Sequence, residues 1–553
     1  MTDAAPTLAN LTSEYLDQEA TIRQGGGAKA IERQHAKSRL TARERVDRLL
    51  DDPASFQELG LWAAHNMYTE HGGAPAAGVV TGIGRVHGRR WMIVANDATV
   101  KAGAFFPMTC KKIIRAQTIA HSAHMGLLYL VDSAGVFLPL QEDVFPDTDD
   151  FGRIFRNNAV ISADGVPQIA AIMGACVAGG GYLPVLCDTL LMTEGSGLYL
   201  AGPALVKAAI GQEVTDKELG GAEMHAAISG TIDFKEPDDE ACIHRLRELC
   251  RKYPDPIRAE REGPRPVRAA EDVHSVFTDK PGEQYDVRDL LACIVDARTQ
   301  PDGEHEALAP DLDEYKAEYG QSLLCAYASI GGAPVGIVAN QGTMTDRVMP
   351  GGTSGPAKST EMPRVIYDDS ADKAARFIMD CNQRQIPLVF FHDTTGFMVG
   401  RDSEQGGIIR AGAKMVNAMA NSVVPKIVVV LGGSYGAGNY AMCGRAFDQF
   451  LSLAWPGSKC AVMGANQATG VLAMIEERSR QRKGEEIDAE THKQILDAVH
   501  AGYTEQADIR HAAARGWVDR IIEPERTRDE LIAALEATRN WPERAFKTGV
   551  LQT

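Results

Sequence analysis

The feature that most constrains this sequence of 553 residues is an order of elements that occurs twice. The apolar stretch GRRWMIVAN, residues 88–96, is paralleled by GAPVGIVAN, residues 332–340. Each is followed by a helical stretch, a strand ending in Asp-(Ser/Thr)-(Ala/Thr)-Gly, a second helix, the dipeptide Val-Pro, a buried strand and a glycine-rich turn. This order predicts two copies of one domain, and the alternation of apolar strands with helices predicts an α/β arrangement with buried strands.

The chain is also too long for a single hydrophobic core. Residues 251–285 are dominated by prolines and charged residues and lose hydrophobic periodicity, which predicts a linker between the two copies. A long surface loop within one domain is the alternative interpretation. We expect the two domains to comprise residues 1–260 and 261–553.

Charge and composition exclude several classes of protein. The net charge of −17 argues against nucleic acid as a main partner. No apolar run reaches membrane-spanning length, and the N-terminal residues lack the basic and apolar regions of a signal peptide. The ten cysteines include no Cys-x-x-Cys pair, and the 14 histidines show no ligand clustering. We therefore expect reduced thiols, no metal site, no membrane anchor and a cytoplasmic location.

Two glycine-rich turns follow equivalent buried strands. CVAGGGYLP, residues 176–184, and YGAGNYAM, residues 435–442, each lie where a strand passes into a helix. The first N–H groups of a helix have no internal partner and lie at the positive end of its dipole, and small residues let an oxygen approach them. A close helix–sheet turn is the structural alternative for one such run. Two runs at matching positions favour two oxyanion holes, which suit a reaction with two carbonyl groups.

No protein base or nucleophile accompanies these turns. The sequence has no Gly-x-Ser-x-Gly elbow, no His-Glu-x-x-His pair and no dinucleotide-binding fingerprint. The stretch GGTSGPAKST, residues 351–360, is not a phosphate-binding loop, because Pro356 and Ala357 separate the glycine from Lys358. The pattern therefore favours chemistry in which a cofactor supplies the base.

From RLTARERVDRLLDD to VDRIIEP, the sequence resembles the carboxyltransferase (β) subunits of biotin-dependent acyl-CoA carboxylases. Its most specific motifs include VDSAGVFLPLQEDVFPD, AGGGYLPVLCD, TGFMVGRDSEQGGIIRAGAKMVNAMA and GGSYGAGNYAMCGRAF. The last of these, together with LGGAEMH, is most like the 3-methylcrotonyl-CoA and geranyl-CoA carboxylase β subunits. The resemblance implies a tandem crotonase-like fold, in which two α/β domains are each built as a ββα superhelix.

The resemblance also implies how the two domains work. Residues 1–260 would bind the acyl-CoA, in which coenzyme A is part of the substrate, and residues 261–553 would face carboxybiotin on a separate biotin carboxylase/carrier subunit. The active site would lie between the N-terminal domain of one protomer and the C-terminal domain of another, in a trimer of dimers. Carboxybiotin would release CO₂, the biotin ureido anion would remove a proton from the acyl-CoA, and the enolate would attack CO₂.

The resemblance assigns roles to particular residues. Six backbone amides would stabilise the two oxyanions: those of Gly135, Val136, Gly179 and Gly180 would hold the thioester oxygen as an enolate, and those of Ala437 and Gly438 the ureido oxygen of biotin. Four aromatic residues would line the substrate pocket, with core packing as the alternative: Phe137, Tyr182, Phe397 and Tyr440. Four basic residues would meet the CoA phosphates, with solvated surface as the alternative: Lys101, Lys111, Lys112 and Arg115.

Two other functions stay open at this point. The stretches AGGGY, QEDVFP and DTTG, and the C-terminal part from Gly484 onward, are also similar to the α subunit of glutaconyl-CoA decarboxylase. That enzyme transfers the carboxyl group in the opposite direction, from the acyl-CoA to biotin. A catalytically silent scaffold that assembles the carrier subunits is the second alternative.

Overall fold

The structure is a computed structural model that describes residues 7–253, 261–278, 280, 282–302, 305–349, 357–483 and 488–550. The expected boundary between residues 1–260 and 261–553 falls at residue 260, outside the described residues, and stays a prediction.

The first repeat forms a mixed sheet. Its strands are β1 (Gln57–Leu59), β2 (Val79–Val86), β3 (Arg89–Asn96), β4 (Leu127–Ser133), β5 (Gln168–Val177), β6 (Thr189–Thr193), β7 (Gly197–Tyr199) and β8 (Phe234–Glu236). The order across the sheet is β1-β2-β3-β4-β5-β6-β8, and β7 pairs with the end of β5. Pairs among β1, β2 and β3 are antiparallel, and the pairs from β3 onward are parallel.

The second repeat forms a sheet with the same path. Its strands are β9 (Ala297–Asp302), β10 (His305–Pro310), β11 (Leu312–Glu314), β12 (Leu323–Ile330), β13 (Ala333–Asn340), β14 (Thr345–Met349), β15 (Ala357–Glu361), β16 (Val365–Ile366), β17 (Leu388–Thr394), β18 (Gly396–Phe397), β19 (Lys426–Tyr435), β20 (Leu451–Ala454), β21 (Lys459–Ala461) and β22 (Arg520–Ile521). The main order is β11-β12-β13-β17-β19-β20-β22, with β21 on β19. Each of these strands corresponds to one in the first sheet, which confirms the internal repeat.

The remaining strands pair outside the two main sheets: β9 with β10, β14 with β15, and β16 with β18.

Helices of the first repeat are α1 (Leu8–Ile22), α2 (Ala28–His35), α3 (Ala42–Leu49), α4 (Pro107–Ser122), α5 (Phe151–Ala163), α6 (Tyr182–Val185), α7 (Pro203–Ile210), α8 (Asp216–Gly220), α9 (Ala222–Met224) and α10 (Asp239–Arg251). Helices of the second are α11 (Val273–Val276), α12 (Val287–Leu291), α13 (Asp368–Gln383), α14 (Arg401–Gly406), α15 (Ile408–Ala420), α16 (Gly436–Ala441), α17 (Ala465–Arg482), α18 (Ala489–Ala507), α19 (Ile509–Ala514) and α20 (Thr527–Ala537).

The central strands are buried along their whole length. Every residue of β4 and of β17 is buried, and each strand is a run of five or four apolar residues followed by buried polar ones rather than an alternating pattern. In each repeat a 16-residue helix, α4 or α13, connects the antiparallel part of the sheet to this central strand. The sequence therefore encodes the same unit, strand, helix and parallel strand, in both halves, and such units are generally right-handed.

One apolar core contains residues of both repeats, and the expected linker contributes to it. Val273, Phe277 and Tyr285 are buried, and the Phe277 ring lies 5.0 Å from that of Tyr285 and 5.1 Å from that of Trp455. The prediction of a linker over residues 251–285 is therefore wrong for its C-terminal part. The prolines and charged residues dominate the composition of this segment, so the composition does not reveal that three apolar side chains pack into the core.

An ion-pair cluster joins the two repeats, and we call Arg115, Arg445 and Asp519 the Asp519 cluster. The Arg115 guanidinium on α4 donates to the two carboxylate oxygens of Asp519 at 2.9 and 2.7 Å. Arg445 donates to the same oxygens at 3.1 and 3.2 Å. Burial by itself raises the pKa of Asp519, but the two guanidinium groups outweigh burial and hold this pKa at about 2.

The Asp519→Ala variant removes the shared partner of two arginines that are largely buried. Because breaking a buried ion pair leaves uncompensated charge, we expect the free energy of unfolding to fall by about 3–5 kcal/mol. Urea denaturation measures this change. Asp402→Ala is the matched control, because Asp402 pairs with Arg401 at the exposed surface and its loss should leave the stability unchanged. Equal losses for the two variants would contradict the prediction.

Candidate active site

Both glycine turns begin with a residue in the left-handed region. Strand β5 ends at Val177, and Ala178 takes a left-handed φ of 57° at the start of the 3₁₀ turn Ala178–Gly181. In the second repeat, β19 ends at Tyr435 and Gly436 takes a φ of 52° at the start of α16. The small residues of each turn therefore follow a left-handed residue at the carboxyl end of a buried strand.

In each repeat the glycine turn contacts the Asp-x-x-Gly turn. A Cβ on Gly180 would lie 3.8 Å from Gly135 Cα, and a Cβ on Gly438 would lie 2.9 Å from Gly396 Cα. Gly135 and Gly396 have positive φ, 89° and 117°. Each donates its N–H at 3.1 Å to the hydroxyl two residues earlier, so the Gly135 N–H, predicted as an oxyanion donor, already has an internal acceptor. Gly396 is a site residue that sequence reasoning missed, although aligning DSAG with DTTG pairs it with Gly135.

A buried aspartate connects the strands beneath each pair of turns. The register between β4 and β5 shifts at Asp132, and that between β17 and β19 shifts at Asp393. Asp132 Oδ1 accepts the N–H of Ala175 at 3.1 Å, and Asp393 Oδ1 accepts the N–H of Gly433 at 3.0 Å. The first residue of the Asp-x-x-Gly motif is therefore structural in both repeats.

The charge of each buried aspartate is balanced by an arginine. Arg45 Nη1 on α3 lies 3.2 Å from Asp132 Oδ2, and Arg364 Nε lies 2.6 Å from Asp393 Oδ2. The Tyr285 hydroxyl also donates to Asp393, at 2.9 Å. Burial raises the pKa of both carboxyl groups, and the arginines oppose that rise. Neither carboxylate is free to act as a base.

The backbone that follows Gly135 is fixed by Phe105. Phe105 donates its N–H to the Gly135 carbonyl at 2.8 Å and accepts the N–H of Phe137 at 3.0 Å. The N–H of Val136 lies between these two bonds and is not a donor in either of them. This stretch therefore holds the Val136 amide in a defined position next to the first glycine turn.

The amides of the second turn adjoin a large cavity. No side chain among the described residues caps α16, so the first-turn amides of Ala437 and Gly438 have no partner within the helix. Ala437 lines a cavity of about 760 Å³ between β19, α16 and the helices α18 and α19. Tyr440 and Trp517 also line it. We call this space the second-repeat cavity.

A separate cavity of about 570 Å³ adjoins the first repeat, and we call it the basic cavity. Asp132 and Ala175 form part of its wall. Four basic side chains converge on it from α2, the segment after α2 and the segment after β3: Arg33, Lys37, Arg39 and Lys101. Of these four, sequence reasoning had assigned only Lys101 to phosphate binding. The other three lie in the basic stretch ERQHAKSR, which was the available signal.

Tyr182 and Tyr440 occupy equivalent positions, two residues after Gly180 and Gly438. Their exposed fractions are similar, 49% and 54%. The Tyr182 ring packs 6.0 Å from that of Phe155, at a tilt. Both tyrosines are therefore presented at the surface beside a glycine turn.

The two predicted phenylalanines are half-buried. The Phe137 ring stacks on that of Phe106 at 4.3 Å and meets the ring of His71 edge-on at 5.3 Å. Phe397 packs so closely against α15 that a Cβ on Gly412 would lie 3.1 Å from its ring. Packing against these neighbours therefore restricts both rings, although neither is fully buried.

Two of the basic residues assigned to CoA phosphates are already engaged inside the protein. The Lys112 ammonium donates to two backbone carbonyl oxygens at 3.0 and 2.6 Å, and burial lowers its pKa to about 7. Arg115 belongs to the Asp519 cluster. Lys111 lines a small cavity beside that cluster and not the basic cavity. We therefore correct the phosphate role for Lys112 and Arg115, because internal acceptors satisfy both cations.

The described part of the chain holds neither a metal-binding cluster nor a membrane-spanning helix. Among those residues, no group of three or more His, Cys, Asp or Glu side chains could hold a metal ion. None of the helices described there has both the length and the apolar character needed to cross a bilayer. The expected cytoplasmic location stays a prediction.

Comparison with known proteins adds the family. The family model of the carboxyl transferase domain matches residues 33–549. The mitochondrial methylcrotonoyl-CoA carboxylase beta chain of Arabidopsis thaliana is 39% identical, over 99% of this chain and 88% of that protein. The biotin-dependent 3-methylcrotonyl-coenzyme A carboxylase beta1 subunit of Mycobacterium tuberculosis is 40% identical, over 97% and 96%. The P. aeruginosa geranyl-CoA carboxylase beta subunit superposes with a TM-score of 0.81 at 31% identity, covering 99% and 96%.

The chain therefore belongs to the carboxyl transferase family. Within that family it is the carboxyltransferase subunit of a biotin-dependent acyl-CoA carboxylase, as the sequence resemblance predicted. The two equivalent sheets and the superposition on the geranyl-CoA carboxylase subunit confirm the tandem crotonase-like fold.

The two glycine turns should differ in their tolerance of alanine. A Cβ on Gly438 would lie 2.9 Å from both Gly396 Cα and Thr394 Oγ1, so Gly438→Ala must displace the backbone and should cost about 1–3 kcal/mol. A Cβ on Gly180 meets only ordinary contacts, so Gly180→Ala should change the stability by no more than about 0.5 kcal/mol. Urea denaturation compares the two variants, and a larger loss for Gly180→Ala would refute this view of the turns.

Proposed function

We propose that this chain transfers the carboxyl group of carboxybiotin, held on a separate carrier subunit, to a branched or α,β-unsaturated acyl-CoA such as 3-methylcrotonyl-CoA. The proposal is carried by the pair of equivalent glycine turns, one near the basic cavity and one beside the second-repeat cavity. Two sets of amides suit a reaction with two carbonyl groups. The relatives described above are carboxylases of 3-methylcrotonyl-CoA and geranyl-CoA, which favours a substrate of this kind.

The first repeat would act on the acyl group, with residues 1–260 as the acyl-CoA domain. Negative charge develops on the thioester oxygen when the substrate loses its proton, and fixed N–H donors stabilise that charge without having to reorganise. Each such donor contributes on the order of 3 kcal/mol to lowering the barrier. The proposed donors are the amides of Val136, Gly179 and Gly180, because the Gly135 N–H already donates to the Ser133 hydroxyl.

The basic cavity would hold the phosphates of coenzyme A. Arg33, Lys37, Arg39 and Lys101 place four cationic side chains around it in a chain whose net charge is −17. Guanidinium groups bind phosphate oxygens in pairs, and lysines act as point charges. This local concentration of positive charge would also favour the approach of an anionic substrate.

The second repeat, residues 261–553, would face the biotin carrier. The second-repeat cavity fits a fused, largely apolar ring system, because its wall is mainly apolar and includes Trp517 and Tyr440. When bound there, carboxybiotin supplies both CO₂ and the base that this chain lacks. The amides of Ala437 and Gly438 would hold the ureido oxygen in place, and the cavity would exclude water from it.

Selectivity for the acyl group would come from four aromatic side chains near the turns. Tyr182 and Tyr440 are half exposed beside the glycines, and a neutral ring at each position would favour an uncharged, branched tail. Packing holds the other two rings in fixed orientations. The proposed pocket residues are Phe137, Tyr182, Phe397 and Tyr440.

We also propose that the chain assembles as a trimer of dimers. Large apolar side chains are exposed on α7, on the segment after α9 and on α17, with exposed fractions of 72% for Ile210, 81% for Ile228 and 57% for Ile475. Exposed apolar groups of this size are typical of protein interfaces. A second copy on these surfaces would also let the first repeat of one protomer meet the second repeat of another.

The acyl-CoA is identified by supplying the chain, its biotin-carrying partner and ATP with labelled bicarbonate and a panel of acyl-CoAs. We expect label to enter 3-methylcrotonyl-CoA at least about tenfold faster than propionyl-CoA, because pocket shape sets the ratio of kcat/KM. Loss of label from labelled glutaconyl-CoA alone would instead identify a decarboxylase subunit. An assembled complex that transfers no label to any acyl-CoA would identify a scaffold.

The phosphate proposal is tested by the double variant Arg33→Ala and Lys37→Ala. We expect the KM for the acyl-CoA to rise about tenfold while kcat stays within about twofold, because the phosphates bind equally in ground and transition states. Steady-state kinetics measure both values. Lys29→Ala is the matched control, because Lys29 is an exposed lysine on α2 that does not line the basic cavity. An unchanged KM in the double variant would exclude the basic cavity as the phosphate site.

A further inference from the structure

A hydrogen-bond network surrounds the second glycine turn. His392, near the end of β17, lies 3.0 Å from Ser434 Oγ through its Nδ1, and its Nε2 contacts the carbonyl oxygen of Met442. Asn439 Nδ2 donates to the same Ser434 hydroxyl at 2.8 Å. We call His392, Ser434, Asn439 and the Met442 carbonyl the His392 network.

Every hydrogen bond in the His392 network has one possible direction. The Met442 carbonyl can only accept, so Nε2 of His392 carries the ring hydrogen. Burial lowers the pKa of His392 to about 4, so the ring is neutral near pH 7 and its Nδ1 accepts the Ser434 O–H. The Ser434 hydroxyl therefore donates to His392, and its oxygen accepts the N–H of Asn439.

The network reaches both ends of α16. Ser434 directly precedes Tyr435, the N-cap residue, and Met442 is the C-cap residue. Asn439 lies within the helix, and its side chain fits because Gly444 has no Cβ, which would lie 2.1 Å from Asn439 Oδ1. A short helix has little stability of its own, so side-chain bonds at both ends determine how it is held.

The first repeat cannot form this network. By strand register, the residues equivalent to His392 and Ser434 are Val131 and Cys176. The residue equivalent to Asn439, five positions after Cys176, is Gly181. The network is therefore an addition to one copy of a duplicated scaffold, at the turn that adjoins the second-repeat cavity.

We propose that the His392 network positions the amides of Ala437 and Gly438, so that His392, Ser434 and Asn439 act on the biotin side of the reaction and not on the acyl-CoA side. This inference rests on the proposed function. His392 and Asn439 also line the second-repeat cavity, so the network forms part of its wall. None of the three side chains needs to exchange a proton with the substrate.

The test removes one hydroxyl. Ser434→Ala deletes the central link, and the assay follows reverse transfer from the carboxylated acyl-CoA product to free biocytin. We expect kcat/KM for biocytin to fall about tenfold or more, because small displacements of positioned groups are costly, while the KM for the acyl-CoA stays within about twofold. Ser458→Ala is the matched control, since Ser458 is equally buried and donates to the Trp455 carbonyl at 2.7 Å. Equal kinetics for the two variants would overturn the proposal, as would equal effects on both substrates.

The direction of the network is tested by the isosteric variant Asn439→Asp, whose carboxylate cannot donate to Ser434. We expect it to match Ser434→Ala in the biocytin assay, and wild-type kinetics in this variant would overturn the assigned direction.

Hydrogen–deuterium exchange supplies a readout that does not depend on activity. We expect faster exchange in Ser434→Ala than in Ser458→Ala for peptides covering α16, with no difference for peptides covering residues 178–185. Unchanged exchange at α16 would overturn the network even if the wild-type protein transferred no carboxyl group. Absence of transfer by the wild-type protein, with altered exchange in the variant, would instead refute the proposed function alone.

Discussion

Each half of the molecule depends on an aspartate buried at the end of a central strand. Asp132 and Asp393 replace a ladder bond with a carboxylate bond to the neighbouring strand, at the same register shift in both sheets. The neighbouring strands have glycines there because a Cβ on Gly174 or Gly432 would lie 2.0 or 2.4 Å from a carboxylate oxygen. With the strands fixed in this way, the Asp-x-x-Gly turn and the glycine turn meet at one point, and backbone amides can act as oriented donors.

The two repeats give the chain two places where a glycine turn meets an Asp-x-x-Gly turn. The side chains and cavities around each place differ, and this difference suits them to different substrates. Cationic side chains from the segments around α2 and β3 collect near the first, while an apolar cavity and the His392 network lie at the second. The two glycine turns are equivalent in the fold, but the groups around them differ. This arrangement suits a reaction in which one carbonyl belongs to a phosphate-bearing thioester and the other to a ring system. The Asp519 cluster and a shared apolar core hold the two halves together within the chain.

Sequence reasoning succeeded where the signal was local or repeated. The order of strands, helices and glycine turns predicted both sheets, and the motifs predicted the family. It failed for side chains whose environment depends on distant residues. Lys112 and Arg115 have the appearance of surface cations on α4, but Lys112 is enclosed by the core, and the partner of Arg115 is Asp519, 404 residues later. The linker prediction failed in part because composition does not show which few apolar side chains are buried.

The sequence alone determined the duplicated α/β architecture, the family and the positions of the two glycine turns. These follow from hydrophobic periodicity and from the backbone demands of glycine, which act over a few residues. Only the tertiary structure decided which glycine turn contacts which Asp-x-x-Gly turn. It also decided which cationic side chains line a cavity and which are enclosed in the core, and that His392 supports the second glycine turn but not the first. Those outcomes depend on contacts between segments far apart in the chain, and the identities of single residues do not encode them.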